Sequence, residues 1–338
     1  MGANHGIQLD YVSLAECEAA RWTDVLGVAA YDRAPAALRE TDIPLAEVGT
    51  PVLTGAADVC EIWRTGERTA SGQWSRVRYR RTNQLLFGSL AVAETDGRAG
   101  LHEATESAYR EIHAAVDAVG YPHLLRVWNY LPEINRVTHG TERYRQFNSA
   151  RQEALRRSGR PLNGNVPAAC ALGAESGRPL VIYFLASRAA PAFIENPRQI
   201  SAYHYPRQYG THSPVFSRAT VFQEGAGHTL FISGTASIVG HETIHKGDAA
   251  AQTRETLTNL EALVEEANRV TGTRAFSLES LACKVYVRQP ADLPGIQAEL
   301  QSALGSSARV LYLKADICRQ DLLVEIEATG TSPEGASD

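Results

Sequence analysis

The chain has 338 residues, of which 33 are basic and 38 acidic, giving a formal charge of −5 at pH 7. Hydrophobic residues make up 44% of the chain and charged residues 21%, which excludes an intrinsically disordered protein. The acidic balance also excludes a general affinity for nucleic acid, because a phosphate-binding surface needs an excess of Lys and Arg. We therefore expect a soluble globular protein of one large or two ordinary domains, in which local cations hold any anionic ligand.

Cysteine usage and the first residues indicate a reducing compartment. An odd number of cysteines without CxxC spacing argues against a disulfide framework; they are Cys17, Cys60, Cys170, Cys283 and Cys318. The opening MGANHGIQLD has no apolar leader, and no run approaches the roughly 18 apolar residues of a membrane span. The sequence predicts a cytoplasmic protein that does not bind membranes.

Hydrophobic periodicity predicts an alternation of strands and helices after a weakly periodic first 50 residues. In the first half the pattern predicts a strand within 82–94, a helix over 102–119, a strand over 123–130 and a helix over 142–157. In the second half it predicts strands at 179–187, 215–223 and 228–234, a helix over 248–270, a strand at 284–288, a helix over 292–304, and strands at 309–314 and 321–327.

This order predicts an α+β protein built from two related layers, each a sheet with helices on one face. A loop rich in Gly, Pro and Asn over 158–169 predicts the boundary between them. We expect an N-terminal domain over 1–160, a C-terminal domain over 161–330 and a disordered tail over 331–338. Residue-level similarity between the halves is too weak to identify a sequence repeat.

His241 to His245 form an HExxH motif, which binds zinc in metalloproteases when a helix places both imidazoles on one face. Here the motif lies between Gly240 and Gly247, and this interval is too short for such a helix. We expect a connecting segment whose histidines pack or face a cleft, and no metal site.

Cations on apolar faces are more informative. Arg218 alternates with Phe216 and Phe222 in a predicted strand, so its side chain points where the two aromatic rings point. A cation in that position needs an anion, which is either a ligand or a buried carboxylate of the protein. Arg151 in a helical apolar stripe and Lys284 in a short strand present the same two alternatives.

Near the C-terminus, strand alternation puts Glu325 and Glu327 on the face opposite Val324 and Ile326. If that face lines a cavity, desolvation raises the pKa of Glu325 and makes it a proton donor near neutral pH. The alternative is that both glutamates face water, and the pattern by itself favours this alternative.

Several motifs in a fixed order resemble those of a known family. The run SGTASIVGHETIHKGDAAAQTRETLTNLEALVEEA, with KVYVR and DLLVEIEA, resembles the RidA (YjgF) superfamily, whose members share a chorismate-mutase-like α+β fold. From about Asn83 onward, LLFGSLAV, YPHLLRVWNYLPEIN, IENP, AYHYP, YG, PVFSRAT, LFISGTASIVGH and LKADICRQDLLVEIE resemble the chorismatases, which split chorismate into pyruvate and a cyclic carboxylate. The first 80 residues match least.

The resemblance implies roles for the residues noted above. It makes Glu325 the catalytic acid, which reverses the preference for a solvent-facing glutamate. It implies a dianionic substrate, chorismate, bound chiefly by Arg218 and Tyr205. The same argument extends more weakly to Arg151, Lys284, Asn129 and Tyr130. Neither a metal nor an organic cofactor is implied.

Two positions bear on the product. Gly234 and Cys318 match the 3-hydroxybenzoate-forming chorismatases, whereas the type that forms 3,4-dihydroxycyclohexa-1,5-dienecarboxylate carries Ala at both. Simple packing is the alternative role for each residue, and a mixed 3-/4-hydroxybenzoate product stays open.

Two other classes of function stay open as well. One is a RidA-like enamine or imine deaminase that uses Arg309; the other is a metabolite-binding module without catalysis. RidA proteins are about half this length and form sites between subunits, so we expect this longer chain to be a monomer.

Overall fold

The first sheet forms from the segment that shows the weakest periodicity. A computed structural model describes residues 6–18, 22–32, 34, 36–54, 59–97 and 99–332. The elements here are β1 (Gln8–Ser13), α1 (Leu14–Glu18), β2 (Val25–Ala30), α2 (Ala36–Arg39), β3 (Leu45–Glu47) and β4 (Val59–Arg64). The four strands pair in the order β1-β4-β2-β3. All six residues of β2 are buried, so this strand reads as an apolar run rather than an alternation.

A six-stranded mixed sheet follows, with two helices. Its elements are β5 (Ala70–Trp74), β6 (Val77–Arg81), β7 (Leu85–Val92), α3 (Gly100–Val119), β8 (His123–Pro132), the short hairpin β9 (Val137–Thr138) and β10 (Thr141–Glu142), α4 (Arg143–Arg157), β11 (Ala168–Ala174) and β12 (Leu180–Ser187). The strand order is β5-β6-β7-β12-β8-β11, and β8 and β11 run parallel.

A second six-stranded sheet completes the chain. Its elements are β13 (Ala192–Ile194), β14 (Ala219–Glu224), β15 (Gly227–Ala236), the short hairpin β16 (Ile238–Val239) and β17 (Glu242–Thr243), α5 (Ala249–Thr271), β18 (Ala282–Val287), α6 (Leu293–Leu304), β19 (Arg309–Lys314) and β20 (Val324–Thr331). The strand order is β13-β14-β15-β20-β18-β19, and β18 and β19 run parallel.

The two six-stranded sheets have the same topology. In each, the sixth strand in chain order inserts between the third and the fourth, and the fourth pairs in parallel with the fifth. One helix follows the third strand and the other follows the fourth. The expected α+β fold of two related layers is therefore confirmed as a structural repeat, which sequence similarity alone was too weak to identify.

The repeat shifts the boundary that the loop composition predicts. Strands β11 and β12 lie beyond residue 160 yet pair with β8, so the first repeat extends to Ser187 and the second begins at Ala192. Composition misplaced the boundary because the Gly-, Pro- and Asn-rich loop joins two elements of one sheet. At the other end, β20 extends to Thr331, and residues 333–338 of the predicted tail lie outside the described residues.

Helices α3 and α5 are long because the sequence supplies both an apolar stripe and end signals. The stripe of α5 includes Leu257, Leu260 and Val264. The Asp248 side chain accepts a hydrogen bond from the Ala251 amide at the start of α5, and Gly272 ends it in the left-handed conformation. Gly120 ends α3 in the same way. No helix in the described ranges is both long and apolar enough to cross a membrane.

The helices pack on the outer faces of the sheets, and the inner faces of all three sheets meet in one apolar core. Residues of this core come from each sheet in turn: Leu26 and Trp63, then Phe87, Trp128 and Tyr183, then Phe231, Tyr286 and Leu313. Tyr130 and Tyr286 occupy equivalent strands of the two repeats, and their hydroxyl groups lie 2.6 Å apart. Side chains on the inner faces can therefore interact across sheets.

Candidate active site

The main cavity has a volume of about 740 Å³ and lies where the two repeats meet. Its wall comes from the start of α4, the segment 205–218, the end of β15, and the chain from residue 318 to Glu325 in β20. The sequence-predicted site residues in this wall are Tyr205, Arg218, Gly234, Cys318 and Glu325. Five residues from distant parts of the sequence therefore meet at one cavity.

Glu325 is a buried carboxyl residue of the cavity wall. Glu325 is only 4% exposed. The alternative that this face of the strand meets water is therefore wrong. Burial and, as the next largest cause, the neighbouring Glu327 carboxylate raise the pKa of Glu325 to about 8. Arg126, Arg288 and Arg218 oppose this rise. The carboxyl group is therefore largely protonated at neutral pH and can donate a proton.

Glu327, two residues along the same strand, has the opposite ionisation state. Lys284 Nζ lies 2.7 Å from Glu327 Oε1, and Arg126 Nη2 lies 2.6 Å from Oε2. Burial alone would raise the pKa of Glu327, but Lys284 and Arg126 lower it overall. A fixed buried carboxylate next to Glu325 thus favours the neutral form of the latter, the pattern by which paired carboxyls take different roles.

Arg218 is the buried cation of the cavity wall. It immediately precedes β14, and one guanidinium nitrogen donates to the Ile200 carbonyl and the Tyr205 hydroxyl, both at 2.8 Å. Its Nε is buried without a hydrogen-bond partner. Within the described ranges Arg218 has no ion pair, although it lowers the pKa of Glu195 against a larger rise due to burial. An unused N–H at a cavity wall is suited to an anionic ligand.

Arg319 is a second cation of the wall, which the sequence analysis missed. Its guanidinium carbon lies 3.9 Å from the ring centroid of Tyr209 and 5.1 Å from that of Tyr205. Nη1 donates to the His241 carbonyl at 2.8 Å, and Nη2 is buried without a partner. The sequence signal for Arg319 is its position directly after Cys318 in the run LKADICRQDLLVEIE, where a cation adjoins a predicted site residue.

The HExxH segment contributes its backbone to this arrangement. Strands β16 and β17 form a hairpin, so His241 and His245 do not share a helical face as they would in a zinc protease. The His241 carbonyl accepts hydrogen bonds from Arg319 and from the Tyr209 hydroxyl. The segment therefore holds the cation and its stacking partner in place.

Gly234 and Cys318 both line the cavity near Glu325. Gly234 is tightly packed: an added Cβ would lie 1.9 Å from Glu325 Oε1 and 3.1 Å from Cys170 Cβ. Burial and, as the next largest cause, Glu325 raise the pKa of the Cys318 thiol to about 12. Cys318 is thus a neutral thiol against the wall rather than a nucleophile.

Four predicted site residues lie away from this cavity. Lys284 is held inside the core by Glu61 at 2.6 Å and Glu327 at 2.7 Å, so its anions are carboxylates of the protein. Asn129 accepts from the Tyr109 hydroxyl and donates to the Cys170 carbonyl. The remaining two are Tyr130, bonded to Tyr286, and Arg151, which lines a different cavity.

The pairing of Lys284 with Glu61 also shows how the first sheet is held against the rest of the fold. Glu61 belongs to β4 and is fully buried, where it accepts hydrogen bonds from Trp63 and Tyr31. Its carboxylate, Lys284, Glu327 and Arg126 of β8 link the three large sheets through one ionic cluster. Sequence patterns could not pair these residues because more than 200 positions separate Glu61 from Lys284 and Glu327.

The two repeats differ at the strand pairing that holds Glu325. Glu325 pairs with Tyr286 in β18, and the equivalent pairing in the first repeat joins Val181 to Tyr130. Val181 in the position of the carboxyl leaves no proton donor there. Arg309, considered for deaminase chemistry, lies at the start of β19, donates to the Leu9 carbonyl, and is not among the residues of the cavity wall.

Fold and site together define a repeat-built α+β protein with a cationic cavity and a neutral carboxyl. The chain matches the family model of the chorismatase FkbO/Hyg5-like N-terminal domain over residues 61–186. It is 36% identical to a 3-hydroxybenzoate synthase of Streptomyces hygroscopicus, covering 80% of this chain and 81% of the relative. It is 39% identical to a chorismatase of Streptomyces rapamycinicus, covering 79% and 80% respectively.

A chorismatase crystal structure is also similar, with 32% identity and a TM-score of 0.86 over 96% of this chain and 98% of that one. Because both the sequence relatives and the structure are matched over most of their length, the chain belongs to the chorismatase family.

Proposed function

We propose that this protein is a chorismatase that cleaves chorismate into pyruvate and 3-hydroxybenzoate, with Glu325 as the catalytic acid. The observation that carries the proposal is the buried carboxyl of Glu325, with a pKa of about 8, in the wall of a cavity that also presents Arg218 and Arg319. The relatives named as a 3-hydroxybenzoate synthase and a chorismatase support the same reaction class.

Two cations suit a dianionic substrate. Arg218 and Arg319 each have a buried N–H without a partner, and both stack against the Tyr205 ring. Guanidinium groups bind carboxylates through charge-assisted hydrogen bonds, and their rigid mounting on aromatic rings fixes the substrate orientation. We assign Arg218, Arg319 and Tyr205 to the two carboxylates of chorismate.

The first step is protonation of the enol ether. Glu325 gives its proton to the methylene carbon of the enolpyruvyl group, which becomes the methyl group of pyruvate. The electron pair of the double bond forms the new C–H bond, and the ether oxygen shares the positive charge in an oxocarbenium ion. The Glu325 carboxylate that remains is an anion next to this cation and stabilises it.

The second step releases pyruvate and forms the ring product. The neighbouring ring hydroxyl oxygen attacks the ring carbon that bears the ether, the ether C–O bond breaks as its electron pair goes to the ketone oxygen of pyruvate, and the hydroxyl proton returns to Glu325. The resulting epoxide takes this proton as it opens, and the carbon that keeps the oxygen then loses its ring proton to Glu325, which restores the aromatic system and the protonated acid. Pyruvate and 3-hydroxybenzoate together contain the atoms of chorismate, so no net water is consumed. Formation of the diene diol would instead consume one water.

The choice of 3-hydroxybenzoate rests on Gly234 and Cys318. Both line the cavity beside Glu325, and an Ala at position 234 would displace the carboxyl. We expect the double variant Gly234→Ala with Cys318→Ala to shift the product toward the diene diol. An unchanged 3-hydroxybenzoate fraction in chromatography would contradict the assignment of these residues to product choice.

The test of the function is turnover of chorismate by the purified protein, with pyruvate measured by a coupled assay and the ring product identified by chromatography. Glu325→Gln should still bind chorismate and should release pyruvate at least about a hundredfold more slowly, since it cannot supply the proton. Glu261→Gln, the same change at an exposed residue of α5, is the matched control. Normal turnover by Glu325→Gln would overturn the acid assignment, and absence of pyruvate with the unaltered chain would overturn the function.

We also propose that the protein acts as a monomer in a reducing compartment such as the cytoplasm. The two repeats that form the cavity belong to one chain, and Cys170, Cys283 and Cys318 are free thiols. Light scattering after size-exclusion chromatography tests the first part, because a dimer mass would contradict it.

A further inference from the structure

A second cavity of about 340 Å³ lies between α3, α4 and the segments at 160–167 and 190–193. It shares no lining residue with the main cavity. Its volume is within the range of small-molecule sites. The wall is largely apolar and includes Leu124, Leu155, Val166, Phe193 and Val215. The polar groups that face it are few.

Arg151 is the first of these polar groups. It is 4% exposed, and its guanidinium carbon lies 5.0 Å from the ring centroid of Tyr109. Its Nε is buried without a hydrogen-bond partner, and no carboxylate of the described ranges forms an ion pair with it. A buried guanidinium without a carboxylate is costly to maintain unless an anion reaches it.

His113 is the second polar group. It is 3% exposed, and neither ring nitrogen has a hydrogen-bond partner. Burial, together with the nearby cations Arg160 and Arg151, lowers the pKa of His113 to about 3. The imidazole is therefore neutral and offers one N–H donor.

Other charged groups around the cavity are already paired or exposed. Arg160 is bound by Asp117 and also donates to the Pro122 carbonyl, although its Nε is buried without a partner. Of the other polar residues that the structure describes in this wall, His123 is half-buried and Asn165 exposed, so the buried groups without an ion pair are the cation Arg151 and the neutral ring of His113. The wall opposite them is apolar and aromatic.

We propose that this cavity is a second ligand site, which binds a small monocarboxylate with a flat apolar body. The carboxylate would lie between Arg151 and the His113 N–H, and the ring would pack among Tyr109, Leu155 and Phe193. One free guanidinium matches one carboxylate, whereas the two cations of the main cavity match a dianion. The site is independent of the reaction at Glu325.

Isothermal titration calorimetry with benzoate tests the site. Arg151→Met should weaken benzoate binding in this cavity about tenfold or more, because it removes a charge-assisted hydrogen bond. Arg151→Lys, which keeps the charge, should recover part of the affinity. Arg156→Met, an exposed position on the same helix, is the matched control and should bind as the unaltered chain does. Benzamide, which lacks the charge, should bind more weakly than benzoate.

Location is tested separately with crystals soaked in 4-bromobenzoate, where an anomalous bromine peak inside the Arg151 cavity is expected. His113→Phe keeps a ring but removes both nitrogens, so it should also weaken benzoate binding. This second variant keeps the test decisive if Arg151→Met fails to fold. Bromine found only beside Arg218 and Arg319 would overturn the proposal. So would a peak in the Arg151 cavity together with calorimetry that neither Arg151→Met nor His113→Phe alters, since this would mean binding at crystal concentration only.

Discussion

Gly234 stands so close to Glu325 that a methyl group at this glycine would lie 1.9 Å from the carboxyl oxygen Oε1. The two residues lie on paired strands, β15 and β20, where the register shifts between Ile232 and Thr235. The glycine therefore makes room for the proposed acid itself, rather than for the substrate at a more distant part of the wall.

Gly234→Ala should slow pyruvate release about tenfold to a hundredfold, because a displacement of the acid of about an ångström misaligns proton transfer. The measurement is the coupled pyruvate assay under saturating chorismate. Gly295→Ala is the matched control, since its added Cβ would meet Ala250 Cβ at an ordinary 4.0 Å. If both glycine variants turn over alike, the contact has no role in catalysis.

The activity should depend on the protonated form of Glu325. With a pKa of about 8, the carboxyl is protonated below that pH and loses its proton above it, so kcat/KM should fall as the pH rises through about 8. A profile from pH 5 to 10 checks this limb. Activity that rises steadily up to pH 10 would exclude Glu325 as the general acid.

Glu327→Gln should move this alkaline limb, the fall of kcat/KM with rising pH, to lower pH. Glu327 raises the pKa of Glu325, so removing its charge lets the acid lose its proton more easily. Circular dichroism of the variant confirms that it folds. A limb that stays in place would mean that burial alone sets the pKa of Glu325.

Glu325→Gln should gain stability relative to the unaltered chain at alkaline pH. The folded-state pKa of Glu325 is about 8 and the unfolded value near 4.5, so the folded state retains a proton that the unfolded state releases between these values. The unaltered chain therefore loses stability as pH rises through this window, by on the order of a few kcal/mol, while the amide variant does not titrate. Urea unfolding at pH 5 and pH 9 measures the difference, and equal losses in both proteins would contradict the raised pKa.

Lys284→Met should lower the free energy of unfolding by about 3–5 kcal/mol, because it leaves the buried carboxylates of Glu61 and Glu327 without their shared cation. Urea titration measures the loss, and Lys314→Met, at an exposed position, is the control. Adding Glu61→Gln to Lys284→Met should restore part of the stability. If the double variant is no more stable than the single one, Glu61 is not the partner that matters.

Local patterns predicted most of the helices and strands. The stripe and end signals of α3 and α5 are encoded within 25 consecutive residues, and the alternation in β20 placed Glu325 and Glu327 on one face. These features are local because backbone hydrogen bonding and side-chain periodicity depend on near neighbours. What the alternation could not decide was whether that face meets water or the core.

The tertiary structure decided the rest. Apolar periodicity on its own does not identify a strand's partners, so only the fold reveals that β12 belongs to the first repeat, that Glu61 reaches Lys284, and that Arg319 stacks on Tyr209. By itself the sequence determined most of the elements and the family resemblance, and this resemblance implied the candidate acid. The low dielectric and the neighbouring charges that keep this acid protonated arise when distant strands pack, so the three-dimensional structure alone determines its pKa.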